Sequence, residues 1–114
     1  METNQAVASL SALAHEGRLE VIRLLVRAGP EGLAAGRIAQ ALGVPANTLS
    51  ANLTVLAHAG LVQSQRQGRS VIYTAAYPQL TALIGFLMQD CCQGAPEVCA
   101  PVGALARQLQ TPKG

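Results

Sequence analysis

The chain has 114 residues, a formal net charge of +2, and a composition that is half apolar but only 3% aromatic. That length suits one domain with a modest core built from Leu, Ile, Val and Ala, and it leaves disorder to the ends, Met1–Thr3 and roughly Thr111–Gly114. The charge is compatible with nucleic-acid binding without arguing for it, so the placement of the eight basic residues matters more than their sum.

The opening stretch, METNQAVASL, has neither a basic n-region nor an apolar h-region, and the longest apolar runs are too short to span a membrane. A cytoplasmic protein with reduced thiols is expected. The odd number of cysteines, three, argues against a structural disulfide framework.

Taken in chain order, apolar periodicity predicts a helix over Asn4–Ala14, with Val7, Leu10 and Leu13 or Ala14 on one stripe. A second helix runs from about Gly17 to Ala28 and is ended by Gly29-Pro30. A third covers about Ala34–Leu42 and stops at Gly43. A fourth runs from about Pro45 to His58 and stops at Gly60. The period then changes: Leu61–Arg66 and Ser70–Ala75 read as two strands joined around Gln67-Gly68. Helical spacing returns in Pro78–Asp90, where Leu80, Leu83, Ile84, Leu87 and Met88 line one side. The fold class is therefore mainly α with a small β-hairpin.

The third and fourth helices, joined at ALGVPANTLS, have the lengths and turn chemistry of a helix-turn-helix. On a wheel of about 100° per residue, Leu49, Leu53 and Leu56 share one face. Asn47, Ser50, Ala51, Thr54 and His58 lie roughly opposite. That second face is small, polar and neutral, which suits insertion in a major groove, where Asn pairs with adenine edges and Ser or Thr reaches bases or phosphates. The hairpin carries Arg66 and Arg69 around Gly68 and can act as a basic wing on phosphate or the minor groove. Each feature alone has a plainer reading, a core stripe or a solvated turn; their order is the specific signal.

With these stretches in view, the chain resembles the ArsR/SmtB family of winged-helix metalloregulatory repressors over about Ala6–Asp90. LSALAHEGRLEVIRLLVRAG resembles the family's helix entry, LADPTRLRILxLL. IAQALGVPANTLSANLTVLAHAGLV resembles its helix-turn-helix, and RQGRSVIYTA its wing, with Gly68, Arg69 and Tyr73 in the expected places. The resemblance implies a homodimeric winged helix-turn-helix over 1–90, followed by a cysteine-bearing inducer segment and tail over 91–114. Asn52 stands where many members have His in the pattern S-x-H-L. It is counted with Asn47, Thr48, Ser50 and Thr54, and with Arg66 and Arg69 of the wing, as the DNA-binding set. HEGR in place of DPTR removes the usual Asp cap and first-turn Pro, so a weaker start to the second helix is expected.

The family's familiar inducer sites are missing. Where arsenic-responsive members resemble ELCVCDLA, this chain has Ala34 and Gly36. PQLTALIGFLMQD lacks the Asp and His ligands of zinc-responsive members, and His15 and His58 are isolated. What remains is QDCCQGAPEVC, which holds all three cysteines, Cys91, Cys92 and Cys99. Three small buried hydrophobes would read the same, but the surrounding residues are polar. A Cys91–Cys92 bond would close a strained ring, whereas Cys92–Cys99 is open to oxidation. Three soft thiolates match arsenite or antimonite, which form pyramidal trithiolate complexes; zinc wants a fourth ligand. The resemblance together with the thiol cluster implies an As(III) or Sb(III) inducer site, with no permanent cofactor. Cadmium, lead or mercury could use the same thiols, and a trivalent organoarsenical two of them.

The family's dimer implies that the first and last helices pack across a twofold axis through Val7, Leu10, Leu13, Leu80, Leu83, Ile84 and Leu87. Its partner would be duplex DNA carrying an inverted repeat, with no membrane partner. A thiol redox sensor on the same fold is the rival reading, and a winged helix serving only protein contacts is a third. An enzyme is not expected: there are no paired carboxylates with His, no nucleophile with a base and no phosphate loop.

Overall fold

Residues 1–89 are described by the structure, a computed structural model. The elements are α1 (Thr3–Leu13), α2 (Glu16–Ala28), β1 (Leu33–Ala34), α3 (Ala35–Leu42), α4 (Ala46–His58), β2 (Val62–Gln67), β3 (Ser70–Ala75) and α5 (Tyr77–Met88). The expected segment 91–114 lies outside the described residues.

The core forms because the helices contribute large aliphatic side chains to one cluster, α1 only through the half-buried Leu13 at its end. Val21, Ile22 and Leu25 of α2 meet Ile38 of α3, Leu49, Leu53 and Leu56 of α4, and Leu61 and Val62 at the entry to the sheet; Leu80 of α5 packs against them. Full burial of each such side chain stabilises by about 1.5–3 kcal/mol, so this cluster is the main favourable term holding α4 to the body.

The helix α1 joins differently. Its buried residues are Ala6, Ser9 and Ala12, all small, while Val7 is 59% and Leu10 41% exposed. Small side chains let α1 approach α2, α4 and α5 closely. Its bulky apolar side faces outward.

The hairpin forms where expected and is antiparallel, with Gln67 opposite Ser70 and Val62 opposite Ala75, so its two-residue loop is Gly68-Arg69, one residue on from the expected Gln67-Gly68. A third strand was not expected. Leu33 and Ala34 pair with Tyr73 and Ile72, so β3 is central, after a single 3₁₀ turn at Gly29–Glu31. Two residues are too few to leave a periodic signal. Their approach depends on Gly32, whose φ of 69° is left-handed. A Cβ there would strike the Tyr73 carbonyl oxygen and come within 2.6 Å of Thr74 Cγ2. The chain has no room to yield, because both neighbours belong to the sheet.

Gly32→Ala is expected to destabilise the fold by roughly 2–4 kcal/mol, from left-handed strain plus overpacking. Urea unfolding checks this: the midpoint should fall with the slope unchanged.

Candidate nucleic-acid interface

The turn between α3 and α4 is built as its residues dictate. Gly43 is left-handed (φ 65°, ψ 36°). The Val44 N–H donates to the Ala39 carbonyl at 3.1 Å and the Gly43 N–H to Gln40 at 3.3 Å, closing the end of α3. Pro45 is the N-cap of α4 and makes no side-chain cap. The first-turn N–H groups of α4 are thus left without a side-chain acceptor.

With Leu49, Leu53 and Leu56 buried, the opposite side of α4 must face outward, and Asn47, Thr48, Ser50, Ala51, Thr54 and His58 are exposed. The Thr54 hydroxyl donates to the Ser50 carbonyl at 2.9 Å. Its hydrogen is committed to the helix, and its lone pairs stay available to an incoming donor. Arg66 and Arg69 are exposed at the end of the hairpin. On the wing face carrying Gln63, Gln65 and Gln67, a polar groove also takes in Glu31, an acid unsuited to phosphate.

Asn52 requires a correction. Read as one of the DNA-facing set, it is 9% exposed, and its amide lies over the start of α2, where a Cβ on Gly17 would be 3.0 Å from Asn52 Nδ2. The reason is angular: position 52 sits next to Leu56 on the wheel, at the edge of the buried arc, about 40° beyond it.

The expected weak start of α2 is also corrected. His15 is its N-cap, and the imidazole Nδ1 accepts from the Arg18 N–H at 3.3 Å. An imidazole nitrogen thus replaces the missing carboxylate, with Glu16 in the first turn. Arg18 is itself tied down, its Nε donating to the Ala12 carbonyl at 2.6 Å to brace the α1–α2 corner. Arg37 of α3, by contrast, is exposed. Sequence reading passed over it because one cation on a short helix carries no pattern.

Of the residues expected at a dimer surface, Val7, Leu10, Ile84 and Leu87 are exposed, Leu87 by 54%. Leu13 and Leu80 are half-buried against the protomer's own core. Leu83 is corrected: it is buried within the protomer. Periodicity finds an apolar stripe but not which part of it the protomer covers itself. Cys91, Cys92 and Cys99 lie outside the described residues, and among the described residues no group of His, Cys, Asp and Glu could hold a metal ion. No helix among them is long and apolar enough to cross a membrane.

A helix-turn-helix with an outward polar second helix, followed by a β-hairpin tipped with arginines, defines a winged helix-turn-helix DNA-binding protein and not an enzyme. A family described as a helix-turn-helix domain matches residues 13–65. The HTH-type transcriptional regulator YgaV of Escherichia coli is 31% identical over 88 residues, covering 77% of this chain and 87% of YgaV. The transcriptional activator HlyU of Vibrio cholerae is 32% identical over 95 residues, covering 82% of this chain and 85% of HlyU. A structure of reduced HlyU superposes with a TM-score of 0.63 at 29% identity, covering 76% of this chain and 88% of that one. The homodimeric winged helix-turn-helix domain of Mb0332 from Mycobacterium bovis, a possible ArsR-family regulator, superposes with a TM-score of 0.61 at 32% identity, covering 76% of this chain and 81% of that one. The chain belongs to the ArsR/SmtB family of winged-helix transcriptional regulators.

Removing the unusual cap is expected to matter: His15→Ala should lower stability by about 1 kcal/mol, and His15→Asp should restore it. Denaturant midpoints of the three proteins at neutral pH check this.

Proposed function

We propose that the protein is a homodimeric repressor that leaves its operator when trivalent arsenic or antimony is bound by Cys91, Cys92 and Cys99. The observation that carries this reading is the placement of all three cysteines within nine residues, directly after a helix whose outer side is apolar and uncovered. The outward Val7 and Leu10 of α1 and Ile84 and Leu87 of α5 supply a self-complementary surface for a twofold dimer. The homodimeric Mb0332 domain supports that assembly.

In the dimer, two copies of α4 address successive major grooves of an inverted repeat, about one helical turn apart. Asn47, Thr48, Ser50 and Thr54 read base edges and nearby phosphates, and Arg66, Arg69 and Arg37 neutralise phosphate. The donor set suits the proposed inducer. Three thiolates satisfy a trivalent pyramidal ion completely and leave zinc one ligand short. The helix α5 ends at Met88, and Gln89 has extended backbone (φ −60°, ψ 128°), so the helix stops short of the first thiol in sequence. Drawing three thiols together beyond that point loads the C-terminal end of a dimer helix and alters the spacing of the two readers. Coupling of this kind is typically about 1–3 kcal/mol. A second reading, oxidation of Cys92 and Cys99 on the same fold, is favoured by one observation: a relative of this chain, HlyU, has a structure described as its reduced form.

Two measurements test these proposals. For DNA, Arg69→Ala should weaken binding to every duplex and flatten the salt dependence by about one phosphate contact per protomer, while Asn47→Ala or Ser50→Ala should change sequence preference instead. Sedimentation showing a monomer that does not bind its own promoter region would reject the reading.

For the inducer, arsenite, antimonite, cadmium, zinc and peroxide are titrated side by side against the DNA complex. Arsenite should release DNA where zinc does not, and each single Cys→Ser variant should bind DNA normally yet release it poorly, because a hydroxyl is hard and stays protonated. One variant can keep a response to a methylated arsenical, which needs only two thiols. Arsenic X-ray absorption should show three sulfurs. A shell of oxygens, or full arsenite response in all three variants, sinks the trithiolate site, and release by peroxide alone transfers the function to the redox reading.

A further inference from the structure

Three elements meet at Gln79, in the first turn of α5. Its Nε2 donates to Ser9 Oγ of α1 at 3.2 Å, across 70 residues of sequence. Ser9 is 0% exposed, so this contact answers a hydroxyl that has no access to water. The same carboxamide borders the space beside Gly60, where an added Cβ would come into van der Waals contact at 3.7 Å from Gln79 Cδ. Gly60 belongs to the turn that ends α4: its N–H donates to the Ala57 carbonyl at 3.0 Å and the Leu61 N–H to Leu56 at 2.9 Å. The Ala76 N–H donates to the Leu61 carbonyl at 2.9 Å, stitching the residue before α5 to the residue after that turn.

We propose that Gln79 is a positioning residue that fixes the tilt of the recognition helix α4 relative to α1 and α5, and that it passes a change in those two helices on to the DNA-facing residues. The apolar contacts of α1 cannot do this alone. Its inward face is Ala6, Ser9 and Ala12, with Leu13 half-buried at the end, and apolar burial of this kind is non-directional and tolerates sliding. A hydrogen bond is directional and sets the register. Leverage does the rest. A helix of 13 residues is roughly 20 Å long, so about 5° of tilt at its Gly60 end moves the far end by about 2 Å. That shift breaks hydrogen bonds made by Asn47 or Ser50 while leaving phosphate attraction nearly intact.

Transmission of an inducer signal rests on the dimer and arsenical reading above; the positioning of α4 does not. The test uses the full chain and two duplexes, its own promoter fragment and a scrambled duplex of equal length. Ser9→Ala with Gln79→Leu removes both hydrogen-bonding groups and keeps the volume, so no buried polar group is orphaned. The double variant is expected to sediment and melt like the wild type and to bind the scrambled duplex within twofold. It should bind the promoter fragment at least tenfold more weakly and respond less to arsenite at equal thiol occupancy. Gln79→Glu keeps an acceptor to which the Ser9 hydroxyl can donate, and it should hold promoter affinity within about threefold. Promoter affinity within twofold of wild type in the double variant would overturn the proposal, as would equal losses on both duplexes. If the double variant does not fold, Gln79→Ala is read against Gln79→Glu by the same promoter-to-scrambled ratio. Wild-type DNA that arsenite fails to release removes the arsenical reading alone, because that ratio still decides the role of Gln79.

Discussion

The burial of Leu49, Leu53 and Leu56 against Leu25, Ile38 and Leu61 is the constraint on which the rest depends. Leucines at helical spacing fix the rotation of α4 about its own axis, and they carry its polar side outward without any charged pair to direct it. The left-handed Gly43 before α4 and the turn at Gly60 after it then set where that helix begins and ends. A helix seated this way makes its outward residues predictable as a set, because one rotation fixes all of them.

That is why so much of the domain was legible in the sequence. The helix and hairpin limits of the described residues follow from glycines, Pro45 and apolar spacing, and the observed limits differ from the expected ones by two residues at most. Illegible features were those resting on a single contact between distant segments. Asn52 looks like a base reader by its neighbours in sequence, yet it lies over the start of α2, where Gly17 has no side chain in its way. His15 looks like the loss of a cap, but an imidazole nitrogen can accept what a carboxylate would. Leu83 and Leu87 share a stripe in sequence and differ in fate. The bond from Gln79 to Ser9 has no sequence signature at all.

The helix α1 shows how one sequence element serves two surfaces. Alternating small residues inward and bulky ones outward reverses the usual arrangement of an amphipathic helix, in which the large apolar side chains face the core. Uncovered aliphatic side chains on two adjacent helices are costly for a protein that remains alone, and they are ordinary in the middle of an obligate interface. The same arrangement leaves α1 held to its own protomer by short contacts and by the bond to Gln79, so on the proposed reading the dimer helices and the tilt of α4 would be set by neighbouring side chains.

Charge points the same way. Of the basic residues described, Arg18 is bound to the Ala12 carbonyl, and Arg23 and Arg27 are exposed on α2, which is neither helix of the helix-turn-helix nor part of the wing. On the proposed reading Arg37, Arg66 and Arg69 face phosphate, so a dimer would neutralise about six phosphates and lose affinity with salt at a slope of about −5. That is a modest electrostatic contribution. On that reading the rest of the affinity for a chosen site would come from neutral side chains such as Asn47 and Ser50, whose hydrogen bonds tolerate only a few tenths of an ångström. A regulator that relies on such contacts can be switched by small movements of its readers, within the reach of a coupling of about 1–3 kcal/mol. A strongly basic recognition helix would hold DNA through the same movement, because phosphate attraction falls off slowly with distance.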